Sequence, residues 1–113
     1  MSVEIALVAA ECKSSIKDEM SLRDRLVAAF GRAKNHWMVL DKDKQMQGAV
    51  AAVLNSYPEE HADRQRLMTE LEVMGKFNAF LMAAQSGLTV TPPELPDGFE
   101  AIGLRKLWAD AQK

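Results

Sequence analysis

Two histidines and one cysteine are the side chains of this chain best suited to acid–base, nucleophilic or metal chemistry. His36 and His61 show neither the H-x-x-x-H nor the H-E-x-x-H spacing of zinc ligands, and Cys12 has no second cysteine with which to form a metal knuckle. Cys12 also falls on an apolar stripe at helical spacing. This position predicts a small buried hydrophobic residue rather than a nucleophile.

The one cluster with metal-ligand chemistry surrounds His61. Its acidic neighbours are Glu59, Glu60 and Asp63. Acidic residues at the start of a helix are favoured by the helix dipole, so a solvated helix N-terminus accounts for the cluster without a metal ion. The sequence contains no G-x-G-x-x-G, G-K-[ST] or G-x-S-x-G motif. We therefore predict a protein that is not an enzyme, with no catalytic residues, no metal and no cofactor.

The charge of the chain bears on a second class of function, nucleic-acid binding. A net charge of −2 and a pI near 5.7 argue against a general nucleic-acid coat. The charge is unevenly distributed, because residues 13–44 carry eight Lys or Arg against five Asp or Glu, whereas residues 55–113 carry six against nine. This polarity could orient a partner or a second copy of the chain, or be accidental.

A helix-turn-helix is the DNA-binding alternative, and it would use the basic flank of residues 23–44. On a helix, Arg25, Arg32 and His36 project within a narrow sector, and Lys44 begins the next helix. That next helix, KQMQGAVAAVLN, carries no charge after Lys44 and so offers few groups for phosphate or base contacts. We keep DNA binding as the second interpretation.

The N-terminal half of the chain, which carries most of these candidate residues, shows helical periodicity throughout. Residues 3–20 show an apolar stripe, and their serines leave open whether they form one helix or two. A helix over residues 21–40 is predicted to begin at the N-cap Ser21 and to turn an apolar face toward a core. That face consists of Leu22, Leu26, Ala29, Phe30, Ala33, Trp37 and Leu40. A third helix, capped within residues 41–44, extends to Tyr57.

The C-terminal half is predicted to contain the longest helix, from Pro58 to Gln85, followed by an extended segment. Glu60/Arg64, Arg66/Glu70 and Glu72/Lys76 are spaced as ion pairs on that helix, and Gly87 ends it. Residues 87–98 contain three prolines and are predicted to form an extended strap. A last helix over residues 99–112, capped by Asp97, completes an all-α bundle of four to six helices in one domain, 1–113.

Apolar side chains beyond the main stripes, together with two aromatic residues of the last helix, suggest a surface for a partner. The residues concerned are Met38, Phe77, Phe80, Met82, Phe99 and Trp108. Methionine and aromatic side chains suit adaptable contact surfaces. We therefore predict a non-catalytic protein–protein interaction module, adaptor or inhibitor, with homodimerisation as one form of that binding.

The expected cellular location of such a module depends on the targeting and membrane signals in the sequence. No long apolar run or basic leader marks a membrane span or a secretory signal, and a single cysteine fits a reducing compartment. We expect a cytoplasmic location, a protein partner rather than nucleic acid, and no membrane contact. The general character of the chain resembles accessory proteins of phages and mobile elements that block or scaffold a host machine.

Overall fold

The computed structural model describes residues 3–89, 97 and 101–113, without the side chains of residues 76–82, 84 and 85. The described chain contains five α-helices and no strand. They are α1 (Val3–Lys13), α2 (Leu22–Ala33), α3 (Lys42–Asn55), α4 (Ala62–Gln85) and α5 (Leu104–Ala111). The predicted all-α class is confirmed. Within the described ranges, none of the helices combines the length and the apolar character needed to cross a membrane.

Helices α1, α2 and α3 form the main body of the bundle. Near the start of α2, Arg25 bonds Ser56 just after α3, while Lys42 at the start of α3 bonds Lys34 just after α2, so these helices are antiparallel. Helix α1 runs parallel to α3, because Glu4 pairs with Lys44 near the starts of the two helices, and Lys13 and Asn55 at their ends line the same cleft. Every helix contributes to the core, whose largest apolar members are Val8, Leu26, Phe30, Val39, Val53, Leu67 and Leu104.

The segment 3–20 forms one helix, which ends at Lys13 and leads into turns. Arg25 holds the chain that follows, because its guanidinium donates to the carbonyls of Asp18 and Met20 and, at 3.0 Å, to that of Ser56. The guanidinium carbon also lies 4.0 Å from the centre of the Tyr57 ring. These bonds connect the turn before α2 to the end of α3.

Helix α2 is shorter than predicted. Its N-cap is Ser21, as expected, but it ends at Ala33 instead of continuing to residue 40. In a continuing helix the N–H of Met38 would bond the carbonyl of Lys34. Here it donates to Nδ1 of His36, and Lys34 accepts from Nζ of Lys42 instead. Side-chain groups thus replace the helical backbone bond.

Helix α4 also begins later than predicted. Pro58 lies in a turn, and the helix starts at Ala62, where Nδ1 of His61 accepts from the N–H of Asp63. At the other end the prediction is confirmed: Gly87 has a φ of 80°, and the N–H of Leu88 bonds the carbonyl of Ala83. This bond pattern is the glycine-terminated Schellman motif.

The C-terminal helix begins at Leu104 rather than at residue 99, because residues 101–103 are not helical. Gly103 has a φ of 84°, which favours glycine, and precedes the helix directly. The N-cap position of this helix is therefore Gly103, six residues after the predicted cap Asp97. Most of the predicted strap lies outside the described residues.

Candidate protein-binding surface

The loop between α2 and α3 presents three large apolar side chains to solvent. Trp37 is 78% exposed, Met38 53% and Leu40 84%. We call these three residues the Trp37 patch. Trp37 and Leu40 were predicted to belong to the buried face of α2, and that prediction is wrong, because the helix ends before it reaches them.

Buried neighbours fix the loop that carries the patch. His36 is buried, and its Nε2 lies 2.7 Å from Oε2 of Glu11 on α1. The other oxygen of this carboxylate, Oε1, accepts from Nε of Arg32 at 3.1 Å. Val39 is buried in the core. Because His36 and Val39 are directed inward, the residues between and after them are directed outward. The exposure of the patch follows from how the loop is held.

The start of α3 fixes the other end of the loop. Asp41 caps this helix by accepting from the N–H groups of Asp43 and Lys44. Gln45, one turn into the helix, is 2% exposed, and its Nε2 donates to the carbonyl of Val39. Its Oε1 is buried and has no hydrogen-bond partner. Such an acceptor costs about 1–3 kcal/mol relative to a satisfied one.

A shallow cavity of about 250 Å³ lies beside the patch, and Gln45 forms part of its lining. The remaining lining residues are Lys34, Asn35, His36, Trp37, Leu40 and Lys42. The lining combines a tryptophan and a leucine with two lysines, and it includes no aspartate or glutamate. This lining is complementary to an apolar group that has negatively charged groups beside it.

Two larger clefts, of about 420 and 520 Å³, lie near the C-terminal ends of α1 and α3 and share Asp18, Asn55 and Ser56. The Arg25 guanidinium and the Ser56 hydroxyl in the second cleft bond each other at 2.9 Å. These polar groups are thus engaged within the fold. The clefts connect the turn after α1 to the end of α3 and offer no comparable set of exposed apolar side chains.

The partner-binding residues predicted from sequence fall into three groups. Met38 belongs to the exposed patch. Trp108 is half-buried on α5, with its ring edge-to-face on Phe30 at 5.2 Å between ring centres, so it contributes to the core. The side chains of Phe77, Phe80 and Met82, and the whole of Phe99, lie outside the described residues.

The basic residues of the DNA-binding alternative do not form one exposed flank. Arg25 is 5% exposed and bonded within the fold, and His36 is buried against Glu11. Arg32 pairs with Glu11, and Lys44 pairs with Glu4 at 3.2 Å. Two of the four side chains are therefore internal, and the other two are partly neutralised.

Cys12 lies in the core, as predicted, where its thiol donates to the carbonyl of Ala29 at 3.3 Å. Burial, reinforced by the nearby Glu11 carboxylate, raises the pKa of Cys12 to about 11, although Arg32 opposes the shift. The thiolate is the reactive form of cysteine, so this environment suppresses nucleophilic chemistry. Among the described residues, no group of three or more His, Cys, Asp or Glu could hold a metal ion.

Comparison with known proteins identifies no family for this chain. No protein-family model, curated protein sequence or solved structure matches the chain. The function of the candidate site must therefore be inferred from the geometry of its own residues.

Proposed function

We propose that this protein is a non-catalytic protein-binding module, an adaptor or inhibitor, whose contact surface is the Trp37 patch. The observation that carries the proposal is the exposure of Trp37 and Leu40, 78% and 84%, on a loop held by buried neighbours. A tryptophan and a leucine on a fixed surface lose little conformational entropy when a partner covers them.

The residue types of the patch match those that dominate binding energy in protein interfaces. Tryptophan is enriched among interface residues that cost at least about 2 kcal/mol when truncated to alanine. Methionine adapts its flexible thioether to different partner shapes. One indole, one thioether and one isobutyl group within the four residues 37–40 provide a compact apolar centre for an interface.

Homodimerisation is one form of this function, because a second copy could supply the covering surface. DNA binding gains no specific support from the described residues, since Arg25 and His36 are buried and internally bonded. We therefore retain only the protein-binding proposal.

The test compares a double variant, Trp37→Ser with Leu40→Ser, against the wild-type chain in two measurements. The first is solution mass by light scattering, and the second is quantitative capture of partners from nuclease-treated extracts. Both substitutions remove exposed apolar surface without opening the core, so the helical circular dichroism should not change. We expect loss of the captured protein or of self-association by at least about tenfold.

The matched control is Leu88→Ser. Leu88 is also largely exposed but follows the end of α4, outside the patch. We expect this variant to retain the wild-type mass and partner. Equal retention by the double variant and the wild type would contradict the proposed contact surface.

A further inference from the structure

Building on the proposed function, we infer the chemistry of the partner: an acidic peptide segment that inserts one apolar side chain into the cavity beside Trp37. In this arrangement Trp37 and Leu40 contact the inserted side chain, Lys34 and Lys42 attract the flanking carboxylates, and Gln45 accepts a hydrogen bond from an N–H of the segment. Three separate observations, on volume, charge and hydrogen bonding, carry this inference.

The volume of the cavity favours a single side chain. Pockets for free small molecules measure roughly 300–1,000 Å³ and bury most of the ligand. The cavity beside Trp37 measures about 250 Å³ and is shallow. One leucine- or phenylalanine-sized side chain uses such a space, while the rest of the segment remains on the surface.

The charge around the cavity favours an acidic segment. The ammonium group of Lys42 bonds a neutral carbonyl, that of Lys34, at 2.7 Å, so no carboxylate neutralises it through that bond. The nearby carboxylates of Glu4 and Glu11 pair with Lys44 and Arg32. Asp41 and Asp43 adjoin Lys42 in the sequence, but both are outside the cavity lining, and Oδ1 of Asp41 caps α3. The positive charge of Lys34 and Lys42 therefore remains available to a partner.

Gln45 supplies a specific polar contact. Gln45 is one of the residues that line the cavity, its Nε2 donates to the carbonyl of Val39, and its buried Oε1 accepts no hydrogen bond. An N–H that reaches this oxygen restores the free energy lost by burying an unpaired acceptor. Peptide segments carry an N–H at almost every residue, so a peptide backbone can supply this donor.

The test titrates the full-length ¹⁵N-labelled protein with three capped heptapeptides, each followed by NMR. The first has phenylalanine between two runs of three glutamates. The second replaces the phenylalanine with alanine, and the third replaces the glutamates with lysines. We expect the first to shift the Trp37 indole and Gln45 side-chain amide signals, and to bind at least about tenfold more tightly than the other two. Raising the salt concentration should weaken this binding several-fold.

The chain supplies internal controls for this titration. Trp108, the second tryptophan, is packed on Phe30 away from the cavity, so its indole signal should not shift. The variant Gln45→Met keeps a similar volume but removes the acceptor, and we expect it to bind the first peptide several-fold more weakly. If that variant does not fold, the shift of the Gln45 amide in the wild-type protein remains the deciding measurement.

Several outcomes would overturn the inference while leaving the proposed function intact. One is a partner captured through the Trp37 patch that the glutamate–phenylalanine peptide does not displace. Another is peptide binding that is equal for the glutamate and lysine versions. A dimer whose interface contains Trp37 would assign the patch to a second copy of the chain instead. Loss of patch-dependent capture altogether would instead contradict the proposed function.

Discussion

Glu70 of α4 accepts a hydrogen bond from the N–H of Leu104 at 3.0 Å and thereby caps α5 across 34 residues of sequence. The same carboxylate accepts from Ile102 and Gly103, so its two oxygens are bonded to the N–H group of the first helical residue and to those of the two residues before it. Glu70 is only 4% exposed. A carboxylate at a helix N-terminus satisfies unpaired donors and interacts favourably with the helix dipole.

Replacing Glu70 with alanine should therefore release α5. The substitution leaves three backbone N–H groups without their acceptor, and we expect a loss of about 2–4 kcal/mol in the free energy of unfolding. Glu70→Gln should cost less, because its remaining carbonyl oxygen can still accept. Urea unfolding followed by fluorescence measures both losses. In a Trp37→Phe background, Trp108 on α5 is the single tryptophan and reports on the helix directly.

Glu60→Gln is the control for this prediction, because Glu60 is exposed in the turn before α4. Its change in stability should stay within about 0.5 kcal/mol. Equal losses for Glu60→Gln and Glu70→Ala would show that general charge, rather than the cap, determines the effect.

Gly48 allows α1 and α3 to approach closely, and we predict that Gly48→Ala is destabilising. An added Cβ would lie 2.5 Å from Cβ of Val8 and 3.0 Å from the carbonyl oxygen of Ile5. Both are attached to the α1 backbone, so the helix itself must move. We expect a cost of about 1–3 kcal/mol from this overpacking, in excess of the gain in helix propensity. Thermal unfolding monitored by circular dichroism measures the difference.

Gly31 of α2 provides the opposite case. Nothing lies within 4 Å of a Cβ added there, and the residue is exposed. Gly31→Ala should therefore raise stability by up to about 1 kcal/mol through helix propensity alone. A Gly48→Ala variant that is stabilised as much as Gly31→Ala would contradict the close contact between α1 and α3.

The buried thiol of Cys12 should make stability fall at alkaline pH. Its pKa is raised from 9.0 to about 11 in the fold, so between these values the unfolded chain loses the proton and the folded chain keeps it. The folded state binds more protons in this window, and stability consequently decreases as pH rises. We expect a loss on the order of 2 kcal/mol by pH 11. The difference between wild type and Cys12→Ala in urea midpoints across pH 8–11 isolates this contribution, and parallel curves would contradict it.

Local sequence patterns predicted the fold class and several boundaries for identifiable reasons. The Ser21 cap, the charge-rich start of α3 and the stop at Gly87 each depend on residues within one or two turns. Periodicity and capping rules detect interactions between residues that are only one or two helical turns apart. The start of α5 depends on Glu70, which periodicity alone assigned to an ion pair with Arg66 on the surface of α4.

The candidate site was predicted only in part, because its position also depends on a contact between residues far apart in the sequence. The helical projection assigned Trp37 and Leu40 to the core because it assumed that α2 continues. The helix ends early because the His36 side chain bonds Glu11, which is 25 residues earlier in the chain, and Met38. Met38 was identified because it lies off the apolar stripe.

Replacing each tryptophan with alanine should change stability by very different amounts, because Trp108 contributes to the core and Trp37 lies on the surface. Trp108 packs edge-to-face on the buried Phe30, with an angle of 72° between the rings. Trp108→Ala should cost about 2–4 kcal/mol, because a half-buried aromatic contact is lost and a cavity remains. Trp37→Ala should change stability by no more than about 0.5 kcal/mol. Urea unfolding followed by far-ultraviolet circular dichroism measures both variants without a tryptophan signal. A large loss for Trp37→Ala would mean that its indole is packed inside the protein in solution, and the Trp37 patch would then not be a free surface.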